Sequence, residues 1–202
     1  MAAFHRTFVN DDSFIRGAAR LLWAGITITF PTKLGDVINL STYNAQTGWN
    51  ELGATKTGIN ITTNNAEEAF DVDQIAGDIR AEPTNWEMSV ATQLAEMTLE
   101  RLQVAWEGSE VTTDTVPEPD EKEIGFGQPT SYTERRLAVL FQRPNEKIRG
   151  YLFRKTQRQP QESAVGHNKT GEQISIPVNF KCLADASIAD VKKRFMIIRD
   201  QQ

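Results

Sequence analysis

The chain has 202 residues and carries 27 acidic against 22 basic residues, which gives a formal net charge of −5. The length suits a single domain with a full core, and the mild acidity argues against a dedicated nucleic-acid binder, which usually has a basic face. The only cysteine, Cys182, excludes an internal disulfide, and without a signal peptide or a long apolar run we expect a soluble intracellular protein with no membrane partner.

The N-terminal quarter combines one weak strand pattern with two segments that lack any period. Residues 1–13 are polar, which predicts an arm that is either disordered or docked on a neighbour. Residues 18–24 predict a strand. Residues 30–50 are interrupted by proline, glycine and asparagine, which predicts a long loop. Loops of this length are uncommon inside a domain and often functional, so we expect either a packed interface loop or an active-site lid.

The clearest strand patterns lie within residues 52–94. Ile59 and Ile61 alternate with polar residues in the first strand, and Met88 and Val90 do so in the second. A period of two predicts strands with one buried side. The opposite sides are short and polar, contain no Lys or Arg, and are the candidate functional surface: Asn60, Thr62, Asn64, Glu87, Ser89, Ala91 and Gln93.

One helix follows these strands. Residues 95–107 repeat apolar side chains at helical spacing, and Gly108 ends the pattern. Residues 110–128 contain two prolines and a cluster of acids, which predicts a second long loop. The connection at 65–84 is expected to hold no more than short strands, around 69–72 and 78–81.

The C-terminal third predicts more strands, at 135–142, 147–155, 173–183 and 195–198, with a polar loop at 156–170 and a helical turn at 186–192. Pro177 cannot donate to a β-ladder, so its strand is expected to lie at a sheet edge or to contain a bulge. Together the elements predict a mainly β (α+β) fold, sandwich-like or barrel-like, with one helix on the flank of a sheet and a single domain over 1–202.

Motifs for catalysis or ligand binding are weak. GATKTG at 53–58 has the glycine spacing of a phosphate loop, but a strand follows where the Lys and Ser/Thr of that loop belong. DVDQIAG at 71–77 resembles a calcium loop, but an isoleucine stands at a ligand position. The two histidines, His5 and His167, have no metal-spaced partner. We therefore expect no enzyme, no catalytic residue, no cofactor and no metal.

Basic residues are interleaved with aromatics in the stretch at 147–158. Such a stretch can form a nucleic-acid platform, but the overall negative charge favours a solvated strand or one that pairs with acids on a neighbour, for which the acidic loop at 118–123 is the complement. The candidate inter-subunit residues are Glu118, Asp120, Glu121, Lys147, Arg149 and Arg154.

Four strings carry a family resemblance: LGATKTGINI at 52–61, EEAFDVDQIAGDI at 67–79, WEMSVATQLAEMTLERLQVAWEG at 86–108 and IPVNFKCLAD at 176–185. In this order and spacing the chain resembles the major tail tube proteins of long-tailed, non-contractile bacteriophages and related phage-like particles. The resemblance is densest over 49–108 and thinner at both ends.

The resemblance implies a structural virion protein whose hexameric rings stack into the tail tube through which DNA is ejected. It implies long loops and an arm that reach between subunits. It further implies a tape-measure protein, tail-tip and tail-terminator proteins as partners, transient passage of double-stranded DNA, and a place in the virion tail after synthesis in the host bacterial cytoplasm. A secretion-system-like or gene-transfer-particle tube subunit is an alternative, and a nucleic-acid-binding β module is a weaker one.

A conduit for DNA must not hold DNA. Phosphate contacts from Lys and Arg supply most non-specific affinity for DNA. The seven residues of the candidate functional surface, six polar residues and Ala91, are therefore the candidate lumen-facing residues. The other interpretation is an ordinary solvent-facing sheet surface. Of the unassigned segments 1–13, 30–50 and 110–128, at least one is expected to cross to a neighbouring subunit or ring.

Overall fold

The computed structural model describes residues 19–72, 75–96, 98–114, 121–143, 146–159 and 175–201. Antiparallel strands dominate these ranges, with one α-helix beside them, so the predicted mainly β fold class is confirmed. The predicted arm at 1–13 and most of the predicted loop at 156–170 lie outside the described residues. The elements are β1 (Arg20–Gly25), β2 (Trp49–Glu51), β3 (Asn60–Val72), β4 (Ile75–Leu94), α1 (Leu99–Ala105), β5 (Ser109–Asp114), β6 (Glu121–Phe126), β7 (Arg135–Gln142), β8 (Ile148–Arg158), β9 (Ile176–Leu183) and β10 (Met196–Asp200).

The main sheet has the strand order β2-β1-β7-β8-β9-β4-β3, and β10 also pairs with β8. Strand β8 is shared between two neighbours on one edge: its first half pairs with β10, and its end, Lys155 to Arg158, pairs with β9. On its other edge, a register shift between Arg135 and Leu137 marks a β-bulge against β7. Bulges bend strands, so β8 is where the sheet changes direction.

The main core lies between β4, β9, β7 and helix α1. Val90, Leu137, Phe153 and Phe180 are fully buried in it. Helix α1 contributes Leu102, Val104 and Ala105 to the same cluster. The helix is shorter than predicted because Thr98 caps its start, its side chain accepting from the Arg101 backbone N–H.

A second core lies on the outer side of β1 and β7. Leu22, Ala138 and Leu140 are buried there beneath Val37 and Ile38. These last two belong to the predicted loop at 30–50, which contains a 3₁₀ turn at Leu34–Asp36, an isolated bridge between Ile38 and Ala45, and the start of β2. The loop packs on its own chain through its buried residues, whereas Leu40 is 38% exposed.

Two predicted connections are strands instead. The segment 65–84 continues the β3–β4 ladder, interrupted by bulges, up to the pair Val72 and Ile75. Residues 110–128 contain the hairpin β5–β6, whose Val111–Ile124 pair packs towards α1 and the main core. The β5–β6 ribbon is mostly exposed, so its sequence lacks the apolar alternation that reveals a half-buried strand.

Pro177 also differs from expectation, because β9 is an interior strand between β8 and β4. The proline is tolerated because the pairing of β9 with β8 covers only Phe180 to Leu183. At Pro177 the strand pairs with β4 alone, opposite Gln93.

Candidate functional site

The seven candidate residues lie on one face of the β3–β4 pair. Cross-strand neighbours are Asn60 with Ala91, Thr62 with Ser89, and Asn64 with Glu87. The three β3 residues are exposed and the four β4 residues are half-buried. Directly opposite pairs of this kind have neighbouring side chains, so the sequence pattern translates into one continuous surface.

The other side of β4 faces the main core. Met88, Val90 and Thr92 are buried, each between two of the candidate residues in sequence, and Leu94 is buried directly after the last of them. A shift of one residue in the β4 register would expose this apolar set. The core therefore fixes which side chains the polar surface presents.

The surface continues onto β9 and β8, which the sequence reading did not include. Asn179 lies opposite Ala91, Lys181 lies opposite Ser89, and Gln157 lies opposite Lys181. By alternation, Lys155 belongs to the same side of β8 as Gln157. The polar face is defined here as the seven candidate residues together with Asn179, Lys181, Gln157 and Lys155. The seven lack Lys and Arg as predicted, but the wider face contains two lysines.

Both lysines of the polar face are ion-paired. Lys181 Nζ lies 3.0 Å from Glu87 Oε1, and Lys155 Nζ lies 2.9 Å from Glu134 Oε2. The hydrogen bond from Lys181, followed by its charge, lowers the pKa of Glu87 from its ordinary value. Glu87 is therefore ionised at neutral pH, and within the described chain no lysine of this face lacks a carboxylate partner.

Amide and hydroxyl side chains form hydrogen bonds in the middle of the polar face. Ser175 Oγ donates to Gln93 Oε1 at 3.2 Å, and Asn179 Nδ2 donates to Gln159 Oε1 at 3.0 Å. These contacts order the two amide side chains, although Asn179 Oδ1 is buried and has no hydrogen-bond partner among the described residues.

Among the described strands, the sheet ends at β3, which pairs with β4 on one side only. Its outer edge runs along Asn60–Val72. At the other end of the order, β2 has three residues. A long unpaired edge is a template for adding another strand, and β3 presents it beside the polar face.

The structure describes four of the six candidate inter-subunit residues, and two of these, Arg149 and Arg154, make side-chain contacts within their own chain. Arg149 is paired with Asp200, its Nη2 lying 2.5 Å from Oδ2. Arg154 is buried, donates from Nε to the Lys193 carbonyl at 2.6 Å and lies over the Phe30 ring at 4.0 Å. Lys147 is half-buried and Glu121 is exposed on β6, whereas Glu118 and Asp120 lie outside the described residues.

These in-chain contacts do not favour a nucleic-acid platform on β8. Arg158 is buried as well, and its guanidinium donates to the carbonyls of Ala105 and Asn179 at 2.8 and 3.0 Å. Burial lowers its pKa. The arginines of this strand tie it to α1, β9 and β10, and their inter-subunit role remains a prediction.

Reactive chemistry is not apparent in the described parts of the chain. Burial raises the pKa of the Cys182 thiol to about 12, so the reactive thiolate is not formed near neutral pH. Across the described ranges, no three His, Cys, Asp or Glu residues lie together as a metal site would require. Likewise, no described helix has the length and apolar character of a membrane span.

Comparisons with known proteins are sparse. No protein-family model and no curated protein matches the chain. Among solved structures, it is similar to a chain of the anti-feeding prophage (AFP) baseplate, determined by cryo-EM with six-fold symmetrisation. That similarity has a TM-score of 0.41 and 6% sequence identity, and covers 93% of this chain and 95% of that chain. Values this low do not establish a shared family.

Proposed function

We propose that the chain is a structural subunit of a phage-type tail or related phage-like particle, and that it self-assembles into stacked hexameric rings that form the tail tube. The four strings over 52–108 and 176–185 support the proposal by their resemblance to tail tube proteins. The observation that carries it is the polar face, a broad sheet surface whose lysines are each matched by a carboxylate.

The physical argument concerns DNA in transit. Each phosphate that a Lys or Arg neutralises adds salt-dependent affinity without regard to sequence. A tube lined by free cations would retain DNA at every ring. Short polar side chains such as Thr62 and Ser89, with Lys181 compensated by Glu87, give a hydrated wall without that affinity.

Ring formation would cover the edge of β3 that is unpaired among the described strands. A strand edge exposed in the monomer is covered when sheets of neighbouring subunits join, and closure into a barrel removes edges altogether. In the proposed ring, β3 adds to a neighbour's sheet and the polar face turns to the central channel. Tape-measure, tail-tip and tail-terminator proteins are the proposed further partners, and the virion tail is the proposed location.

Negative-stain electron microscopy of the purified chain over a concentration series tests the proposal. We expect rings or tubes with a central stain-filled hole. A particle that stays monomeric at every concentration and in the presence of crowding agents would contradict it. A secretion-type or gene-transfer tube subunit would also give tubes. Transit of DNA through isolated tubes distinguishes a DNA conduit from a tube for proteins.

A further inference from the structure

An apolar groove of about 400 Å³ lies between the middle of β4, at Trp86 and Met88, and the segment that leads into β10. Val191 is 67% exposed and Trp86 is 37% exposed there. The Trp86 ring packs edge-to-face on Phe195, with centroids 4.3 Å apart. The groove, called the Trp86 groove below, is lined by Trp86, Met88, Val191, Lys192, Phe195 and Met196.

The rim of the Trp86 groove is basic. Lys192, Lys193 and Arg194 are consecutive, and Lys192 and Lys193 are exposed. Lys193 Nζ lies 3.0 Å from Asp190 Oδ2. For Lys192 the described chain provides no carboxylate partner. An apolar floor with surplus positive charge at its rim fits a partner that is both apolar and acidic.

The far half of the β3–β4 hairpin has that composition. Residues 67–83, called the distal hairpin below, contain six acidic residues and one basic residue, Arg80. They also contain the apolar residues Phe70, Val72, Ile75 and Ile79. The charge and the apolar content of this segment complement those of the Trp86 groove.

Among the described strands, the distal hairpin pairs with no other strand of its own chain. Strand β9 pairs with β4 only from Met88 onwards, and before that point β4 pairs with β3 alone. A two-stranded ribbon is marginally stable in water by itself. From Thr63 to Val72 the ribbon extends about 30 Å at the usual rise per residue. That length is enough to span the distance to a neighbouring molecule.

We propose that the distal hairpin of one copy docks in the Trp86 groove of a second copy, its apolar side chains on the groove floor and its carboxylates against Lys192 and Lys193. This inference rests on the proposed assembly and names one of its contacts. The contact is heterologous, because donor and acceptor are different surfaces. It therefore propagates from copy to copy and either closes into a ring or continues as a filament.

The first test is Val191→Asp, with Tyr132→Asp as the matched control. Both side chains are exposed, at 67% and 43%, so neither change disturbs the core. Sedimentation should show that Val191→Asp raises the concentration needed for assembly about tenfold or more, as expected for losing a central interface contact. Tyr132→Asp should assemble like the unmodified chain.

The second test is a charge exchange. Two double variants should each weaken assembly. The first reverses charge on the distal hairpin, by Asp71→Lys and Asp78→Lys, and the second reverses charge at the groove, by Lys192→Glu and Lys193→Glu. In either double variant alone, like charges meet at every contact. Mixing the two double variants in equal amounts pairs reversed hairpins with reversed grooves and unmodified hairpins with unmodified grooves, so opposite charges meet between the variants and the mixture should assemble. Combining all four changes in one chain should restore assembly.

The outcomes separate this contact from the proposed function. If Val191→Asp forms tubes at the same concentration as the unmodified chain, the docking proposal is wrong and the tube proposal is unaffected. Assemblies other than tubes that are sensitive to Val191→Asp and are rescued by the charge exchange would support docking and contradict the tube. If the variant with all four changes fails to assemble although its melting temperature equals that of the unmodified chain, the distal hairpin is not the partner of the groove.

Discussion

Lys181 on β9 donates to Glu87 on β4 across 3.0 Å, so a lysine in the centre of the polar face has its own counter-ion. Both side chains are nearly half exposed, at 46% and 45%, and a pair of this kind adds little to stability. Its consequence is electrostatic: the face contains a cation but presents no net positive charge at this position.

Glu87→Gln should convert the polar face into a weak DNA-binding surface. The change leaves Lys181 uncompensated while keeping the size and hydrogen-bonding capacity of the side chain. We expect tighter binding of short duplex DNA at low salt, with the slope of log affinity against log salt steeper by about 0.9 for each added phosphate contact. Fluorescence anisotropy over a salt series measures both quantities.

Glu100→Gln is the control for that experiment. Glu100 also pairs with an exposed lysine, Lys122, at 2.5 Å, but the pair lies between α1 and β6, away from the polar face. The control should bind DNA like the unmodified chain. Equal gains in the two variants would show that net charge, and not the position on the polar face, determines the affinity.

Proline substitutions at Thr62 and Thr63 should separate folding from assembly. In an antiparallel pair, successive residues alternately direct their N–H groups to the partner strand and away from it. Thr62 and Thr63 are opposite Ser89 and Met88, so one of the two directs its N–H to the free edge of β3. Proline at that position should leave the fold intact and block the edge.

Proline at the other threonine breaks the β3–β4 ladder and should lower the melting temperature. Circular dichroism identifies which variant keeps its fold, and electron microscopy then shows whether that variant still assembles. Normal tubes from the variant with an intact fold and a blocked edge would rule out strand addition at β3.

Gly150→Ala should displace the loop at 30–50 from its own chain. A methyl group at this position would collide with Leu34 of the loop and lie 2.9 Å from Leu140 Cδ2. We expect a loss of about 1–3 kcal/mol in the free energy of unfolding, typical of an overpacked core. Gly125→Ala on β6 is the control, because its methyl group meets nothing within 4 Å. Equal unfolding free energies for the two variants would mean that the loop packs elsewhere.

Asp200→Asn should reduce the decrease in the free energy of unfolding that occurs as the pH is lowered. The hydrogen bond from Arg149 is the main influence that lowers the pKa of Asp200 below its ordinary value of 3.8. The ionised carboxylate therefore stabilises the fold above that value, and the stabilisation disappears as the pH falls through the lower pKa of the folded chain. Denaturant unfolding at a series of acidic pH values measures the slope. Parallel pH profiles for the variant and the unmodified chain would contradict the assignment.

Strands with one buried side were predictable, as β7 and the body of β4 show. At β4 the buried set Met88, Val90 and Leu94 alternates with polar residues, and burial of that set determines the register. The β5–β6 ribbon was not predictable in this way, because a ribbon that is mostly exposed on both faces has no apolar alternation in its sequence. The sequence of the distal hairpin lacks that alternation as well.

The polar face was only partly predictable for a different reason. The seven residues on β3 and β4 share a sequence pattern, whereas Lys181 joins them only through the pairing of β9 with β4. Its alternation on β9 was visible, but strand order is a long-range property that single-chain periodicity does not contain. The buried arginines of β8 were misleading for the same reason, since their partners lie on α1, β9 and the segment before β10.

Cryo-electron microscopy of the assembled chain tests the central claim most directly. A reconstruction that resolves strands should place Asn60, Thr62, Asn64, Glu87, Ser89, Ala91 and Gln93 on the wall of a central channel, with the Lys181–Glu87 pair among them. The same side chains on the outer surface of the particle, or buried between subunits, would contradict the account.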